Sequence, residues 1–304
     1  MSKVALVMST YNGERFLVEQ IESLLQQEGV DLSIFVRDDL STDSTPVILE
    51  KYKDKIAIID NQGINLGVGN SFMQALYHVG TGYDFYAFCD QDDVWLKDKL
   101  LRAMTFLNNP TKPQLYNSNQ ELVDENLHSL GLRHQKEIDA SSLQILTNNK
   151  ITGCTMVWNN ELQKLLMEPN RRPASEVLQV RIHDVWVSMV ASLLGEIYYD
   201  TESRIKYRQH ANNVVGVRTE SKLSIWKKKI FNASKQRGRS KLASAVLSCY
   251  GDLLNSSNDE IISTYANYRK SVSLKWRLMT DKKFFEKSTE PRYQFIVKVL
   301  LNLV

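Results

Sequence analysis

Short apolar runs alternate with amphipathic stretches through the first hundred residues. Residues 3–9, KVALVMS, are nearly continuous in apolar side chains and end in the polar TYNGE. A run of that length closed by polar and Gly residues predicts a buried parallel strand. RFLVEQIESLLQQ follows, and its spacing puts Phe16, Leu17, Ile21, Leu24 and Leu25 on one face of a helix. LSIFVRDD predicts a second strand, and STDSTPVILEKY a helix opened by capping residues. KIAIID predicts a third strand, and NLGVGNSFMQALYHV a loop entering a helix. YDFYAFC predicts a fourth strand, with DDVWLKDKLLRAMTFL as a helix after it. This alternation predicts an α/β fold, a doubly wound and mainly parallel sheet flanked by helices.

The middle third is less regular. QLYNSNQELVDE predicts a strand, and ITGCTMVWNNELQKLL a strand running into a helix. HDVWVSMVASLLG predicts a helix with His183 and Asp184 at its N-terminal end, and EIYYD and RIKYRQH predict two late strands. Charge then changes the picture. From Ser221 to Gly251 there is no Asp or Glu, yet there are eight basic residues: Lys222, Lys227, Lys228, Lys229, Lys235, Arg237, Arg239 and Lys241. Leu223, Trp226, Ile230 and Phe231 recur there at helical spacing. A boundary near residue 216 is therefore expected, with an α/β domain over 1–216 and a helical, basic region over 217–304 that suits a membrane-surface or oligomer contact. Residues 221–251 suit an anionic membrane surface. No nucleic-acid module is recognisable, so nucleic acid is not expected as the partner. A homodimer is the other arrangement left open.

The chain of 304 residues has an ordinary composition and a formal charge of +3. Cys89, Cys154 and Cys249 are odd in number and scattered, which fits a reducing cytoplasm. The apolar run in MSKVALVMST is too short for a signal peptide, and no segment has the length to span a bilayer. The expected location is cytoplasmic, with peripheral attachment to the inner face of the cell membrane.

In doubly wound sheets, ligands bind beyond the carboxyl ends of the strands. STYNGE, RDDLSTD, NLGVGN and CDQDD all fall at that edge. In DQD, residues two apart on an extended segment point the same way, so Asp90 and Asp92 converge on one hard divalent cation, Mn²⁺ or Mg²⁺. Asp39 ends the second strand and suits a base N–H or a ribose hydroxyl. The simpler reading of these acids is turn and cap chemistry. The glycines of STYNGE and NLGVGN lack the spacing of the common phosphate-binding motifs.

Taken together, STYNGERFLVEQIESLLQQ, VRDDLSTDST, NLGVGNSF and CDQDDVW resemble the family 2 glycosyltransferases of GT-A fold. ITGCTMVWN, HDVW and YRQHANNVVG resemble later motifs of the bacterial rhamnosyltransferases that build cell-wall or capsular polysaccharide. The resemblance runs in order over roughly residues 3–216. It implies that Thr10, Tyr11, Asn12 and Glu14 line a nucleotide pocket. Asp39 would contact the base with Asp38 and Ser41 nearby, and Asn65 and Gly67 would lie near the ribose and diphosphate. Asp90 and Asp92 would be the metal-binding D-x-D pair, with Gln91 beside the donor. Asp184 matches the catalytic-base position, and His210 a histidine that reaches the metal or diphosphate. Gly153, Cys154, His183 and Trp186 fall on the acceptor side.

The resemblance implies an inverting, metal-dependent glycosyltransferase. The first expectation for the donor is dTDP-β-L-rhamnose and the alternative is a UDP-hexose. The acceptor would be a hydroxyl of a saccharide or an undecaprenyl-linked saccharide. A non-catalytic sugar-nucleotide-binding or scaffold protein is the alternative class, and the joint presence of Asp90, Asp92 and Asp184 argues against it. One departure is Leu40, where the family pattern usually has Gly. Leucine resists a positive φ, so this loop is expected to turn differently around Ser41.

Overall fold

Alternate side chains of β1 (Ser2–Thr10) feed two separate cores. Val4, Leu6 and Met8 pack with Leu17, Ile21 and Leu24 on one face of the sheet, while Ala5 and Val7 pack with Phe72, Met73 and Leu76 on the other. This is the two-residue period of a strand covered on both faces. In this computed structural model residues 1–210 and 237–304 are described. After β1 come α1 (Leu17–Leu25), β2 (Val30–Asp38), α2 (Thr45–Lys51), β3 (Ala57–Ile59), α3 (Val68–Val79) and β4 (Phe85–Cys89), in the predicted alternation. β1 pairs in parallel with β2 and β4, and β2 with β3.

The next stretch departs from the sequence pattern. The helix expected over DDVWLKDKLLRAMTFL begins only at α4 (Lys99–Phe106), because Val94–Trp95 form β5. β5 pairs antiparallel with residues 205 and 206, and the Trp95 N–H donates to Ser23 Oγ at 3.1 Å. Then follow β6 (Gln114–Val123), β7 (Ser129–Leu132), α5 (Ser142–Asn148), β8 (Val157–Asn159), α6 (Asn160–Met167), α7 (Ser175–Val180), α8 (His183–Leu194) and β9 (Glu196–Arg208). β9 is one long strand where two were expected. It stays paired in parallel with β6 across register shifts near Ser118 and Asn119. Asp200, at the irregularity, is held by Arg102 and by the Tyr116 hydroxyl. The sheet runs β3-β2-β1-β4-β8-β6-β9-β5, with β7 beside β6.

The C-terminal part contributes α9 (Gly238–Tyr250), α10 (Ser256–Asn267), α11 (Val272–Thr280) and α12 (Arg292–Leu300). Leu242, Val246, Tyr250, Ile262, Tyr265, Phe284 and Phe295 share one buried cluster with Trp186 and Val190 of α8. The boundary expected near residue 216 and the spacing of Leu223, Trp226, Ile230 and Phe231 lie outside the described residues. The described end of the acid-free stretch is α9, and its apolar side chains are turned into this core.

Candidate active site

The carboxyl ends of β1, β2 and β4 and the start of α8 meet around a cleft of about 680 Å³, within the usual range for a small-molecule site. Thr10, Tyr11, Asn12, Asp39, Asn65, Gly67, Asp90, Gln91, Asp92, Gly153, His183, Asp184 and His210 all line it. Residues as far apart in sequence as Thr10 and His210 thus come to one rim.

The other expected residues lie off the cleft and support it. Asp38 is turned away: its carboxylate accepts from the Thr10 hydroxyl at 2.9 Å and from the Ser41 N–H and hydroxyl at 2.9 and 2.6 Å. Ser41 Oγ in turn accepts the Asn12 N–H at 2.8 Å, and Glu14 accepts the Ser44 N–H at 2.8 Å. Leu40 does take the left-handed conformation, with φ of 63°, so the loop keeps the turn that Gly usually makes there. The two Ser41 bonds to Asp38 fix this turn against the side-chain clash that disfavours it. Cys154 is buried and receives Gln120 Nε2 at 3.3 Å on its sulfur. Trp186 is buried against Tyr250, too deep to meet an acceptor.

Two cleft residues also hold the loops. Asp39 is paired with Arg37 and accepts the Leu66 and Gly67 N–H groups at 2.8 Å each, while Asn65 Nδ2 donates to the Asp39 carbonyl at 2.6 Å. Gln91 accepts the Tyr11 N–H at 2.8 Å and donates to the Tyr11 carbonyl at 3.0 Å, clamping the β4 loop to the β1 loop.

The acids dominate the electrostatics. β4 ends at Cys89, so Asp90 and Asp92 sit on a bend rather than an extended segment, yet both reach the cleft. Removal from water, then the charges of Asp92 and Asp184, push the Asp90 carboxyl up to about 7. Burial pushes Asp184 up to about 6, partly offset by the Val185 N–H at 2.6 Å and by the positive charges of Arg133 and Arg181. His210 Nε2 lies 2.8 Å from Asp92 Oδ2. A divalent cation beside Asp90 would offset the repulsion it feels from Asp92 and Asp184.

Asp90 and Asp92 bring to the cleft the oxygen donors that Mn²⁺ or Mg²⁺ favours, and His210 stands beside Asp92. A second donor set lies deeper. Asp90, Asp93 and Cys154 offer atoms within 4.8 Å of one another. Asp93 and Cys154 are fully enclosed there, burial pushes both upward, and the Lys99 ammonium is close by. The Cys154 thiol is a soft donor, so this set suits a hard cation less well than oxygens alone.

Sequence reasoning missed several residues. Arg37 looks like a strand residue, yet its guanidinium anchors Asp39, Ser71 and the Ile64 carbonyl. Lys99, at the start of α4, is fully buried over the Trp95 ring at 3.6 Å. Phe72, a core residue of α3, also forms an apolar wall of the cleft with Val68 and Ile182. His183 stacks on Phe72 at 3.9 Å. Both its ring nitrogens are buried with no hydrogen-bond partner among the described residues, and burial pushes its pKa down to about 3. It is a neutral imidazole in an apolar setting.

Comparison with known proteins agrees with this architecture. Residues 5–166 match the model of glycosyl transferase family 2. The chain is 33% identical to the dTDP-rhamnosyl transferase RfbG of Shigella flexneri, over 69% of this chain and 73% of that protein. It is 31% identical, over 36% of this chain and 19% of that protein, to the poly(ribitol-phosphate) beta-N-acetylglucosaminyltransferase TarS of Staphylococcus aureus. A crystal structure of residues 1–349 of TarS in complex with UDP-GlcNAc superposes with a TM-score of 0.60 and 17% identity, covering 99% of this chain and 80% of that one. The chain is a glycosyltransferase of GT-A fold and belongs to glycosyl transferase family 2.

Proposed function

We propose that this chain transfers L-rhamnose from dTDP-β-L-rhamnose, with inversion, to a hydroxyl of a saccharide or lipid-linked saccharide in cell-wall or capsular polysaccharide synthesis. The observation that carries the reading is the position of Asp184 in the same cleft as Asp90 and Asp92. One wall binds the leaving diphosphate and the other takes a proton.

Asp90, Asp92 and His210 would hold Mn²⁺ or Mg²⁺. Bound there, the cation supplies positive charge to the departing diphosphate. Thr10, Tyr11 and Asn12 would meet the nucleotide, and Asn65 and Gly67 the ribose and phosphates; all five line the cleft. Asp39 sets this part of the cleft by fixing the Leu66 and Gly67 amides. Asp184 keeps one carboxylate oxygen on the Val185 N–H and leaves the other for the proton of the acceptor hydroxyl. The acceptor oxygen then attacks the anomeric carbon opposite the leaving group, and no covalent enzyme intermediate is required.

Two observations favour rhamnose. RfbG, the relative named above, is a dTDP-rhamnosyl transferase. Val68, Phe72 and Ile182 give the cleft an apolar wall, which would suit the methyl group of a 6-deoxy sugar. A UDP-hexose donor is the second reading, favoured by the full-length fold match to a UDP-GlcNAc-bound transferase. Calorimetric titration with dTDP and UDP in the presence of Mn²⁺ separates them. Binding of dTDP at least about tenfold tighter, a difference of about 1.4 kcal/mol, supports the first reading. The reverse order supports the second.

A further inference from the structure

Two neighbouring C-terminal helices carry apolar side chains on both faces. On the inner side α11 buries Leu278, and α12 buries Phe295 and Val299. The helices meet through the Arg292 guanidinium, which donates to the Met279 carbonyl at 3.3 Å and lies over the Phe285 ring. On the outer side, Val272 and Trp276 are 85% and 65% exposed, and Tyr293, Val297, Leu300 and Leu301 are 48–66% exposed. Positions 272 and 276 are one turn apart, and 293, 297, 300 and 301 follow the i, i+4, i+7, i+8 rule. Each set makes a stripe opposite the buried face. Isolated apolar residues on a surface need no explanation, but two adjoining stripes with a Trp and a Tyr do.

The charge around the stripes is one-sided. Residues 269–304 hold nine Lys and Arg against three acids, Asp281, Glu286 and Glu290. Arg277 and Lys283 pair with Glu260, Lys287 with Asp139, and Lys298 with Glu290. Arg269, Lys270, Lys275, Lys282 and Arg292 form no ion pair among the described residues.

We infer that the outer faces of α11 and α12 dock on an anionic lipid surface. Trp276 and Tyr293 suit the headgroup level, where an apolar ring with a polar edge is satisfied on both sides. Val272, Val297, Leu300 and Leu301 protrude, as insertion beside acyl chains requires. The unpaired cations reach lipid phosphates while their methylene stems cover the apolar stripe. This differs from the expectation for residues 221–251, whose described end, α9, has its apolar side chains in the core. The inference does not depend on the donor sugar or the metal.

The test is cosedimentation of the full chain with vesicles of phosphatidylcholine, alone or mixed with phosphatidylglycerol. Binding to the mixed vesicles, weakened by high salt, is expected. Trp276→Glu and Leu300→Glu should each lower the partition coefficient by about tenfold or more, with melting temperature and release of donor nucleotide unchanged. If a Glu variant misfolds, the triple variant Lys270→Gln, Lys275→Gln, Lys282→Gln decides, since it removes only surface ammonium groups. Equal binding to neutral and anionic vesicles overturns the inference. So does absence of vesicle binding, or a wild-type dimer that Trp276→Glu converts to monomer, because a second copy would then cover the face.

Discussion

His210 Nε2 stands 2.8 Å from Asp92 Oδ2, joining the segment after β9 to the loop after β4. The Phe16 ring packs on the imidazole at 5.1 Å between centroids, so the contact is braced from the start of α1. His210→Ala should raise the Mn²⁺ concentration for half-maximal activity by about 10–100-fold, the usual cost of disturbing a metal's immediate surroundings. An unchanged Mn²⁺ titration would remove His210 from the metal's neighbourhood.

Asp184→Asn should lower kcat by about 10²–10⁴-fold while the KM for the donor stays near wild type. The pH profile gives a separate reading. Asp184 is pushed up to about 6, and a base must be ionised. Wild-type activity should therefore rise with pH through about 6 and then level off. A variant with near-normal turnover, or a wild-type profile flat across that range, would assign the proton transfer elsewhere.

The same carboxyl makes a stability prediction of opposite sense. Its folded pKa lies above the ordinary value of 3.8, so the folded state holds the proton more tightly. That contribution is complete below 3.8 and is lost as pH rises through about 6. Above that range the wild type carries a buried charge that Asp184→Asn does not. The variant should melt higher than wild type at pH 8 and show no such advantage at pH 4. A variant less stable at both pH values would show that the carboxylate holds the fold together.

Leu40 holds a φ of 63°, a conformation that costs a side chain roughly 1–2 kcal/mol. Glycine removes that clash but loses more chain entropy, roughly 0.5–1 kcal/mol. Leu40→Gly should therefore raise stability by about 0.5–1 kcal/mol in urea unfolding. Destabilisation would mean that leucine's packing outweighs its backbone strain.

The parallel half of the sheet was legible because β1 to β4 are continuous apolar runs, each closed by polar residues at the same edge. β5 was not. Val94 and Trp95 fit a helical spacing with the residues after them, and only pairing with Ile205 and Lys206 makes them a strand. Local periodicity carries no sign of a partner that distant. Likewise, EIYYD and RIKYRQH look like separate strands because Thr201 and Glu202 interrupt the alternation, but β6 follows through that break with shifted register. In the site, the acids stood out by type and position. Their partners did not: nothing local shows that Asp38 faces Thr10 and Ser41, that Arg37 anchors Asp39, or that Phe72 serves the cleft as well as the core.

The most direct test is release of nucleoside diphosphate from dTDP-β-L-rhamnose and, in parallel, from UDP-glucose, with Mn²⁺ and with EDTA. The account predicts dTDP release with Mn²⁺, loss of it with EDTA and in Asp90→Asn, and little UDP from the second donor. Release of UDP alone, or dTDP release that EDTA leaves untouched, would contradict it.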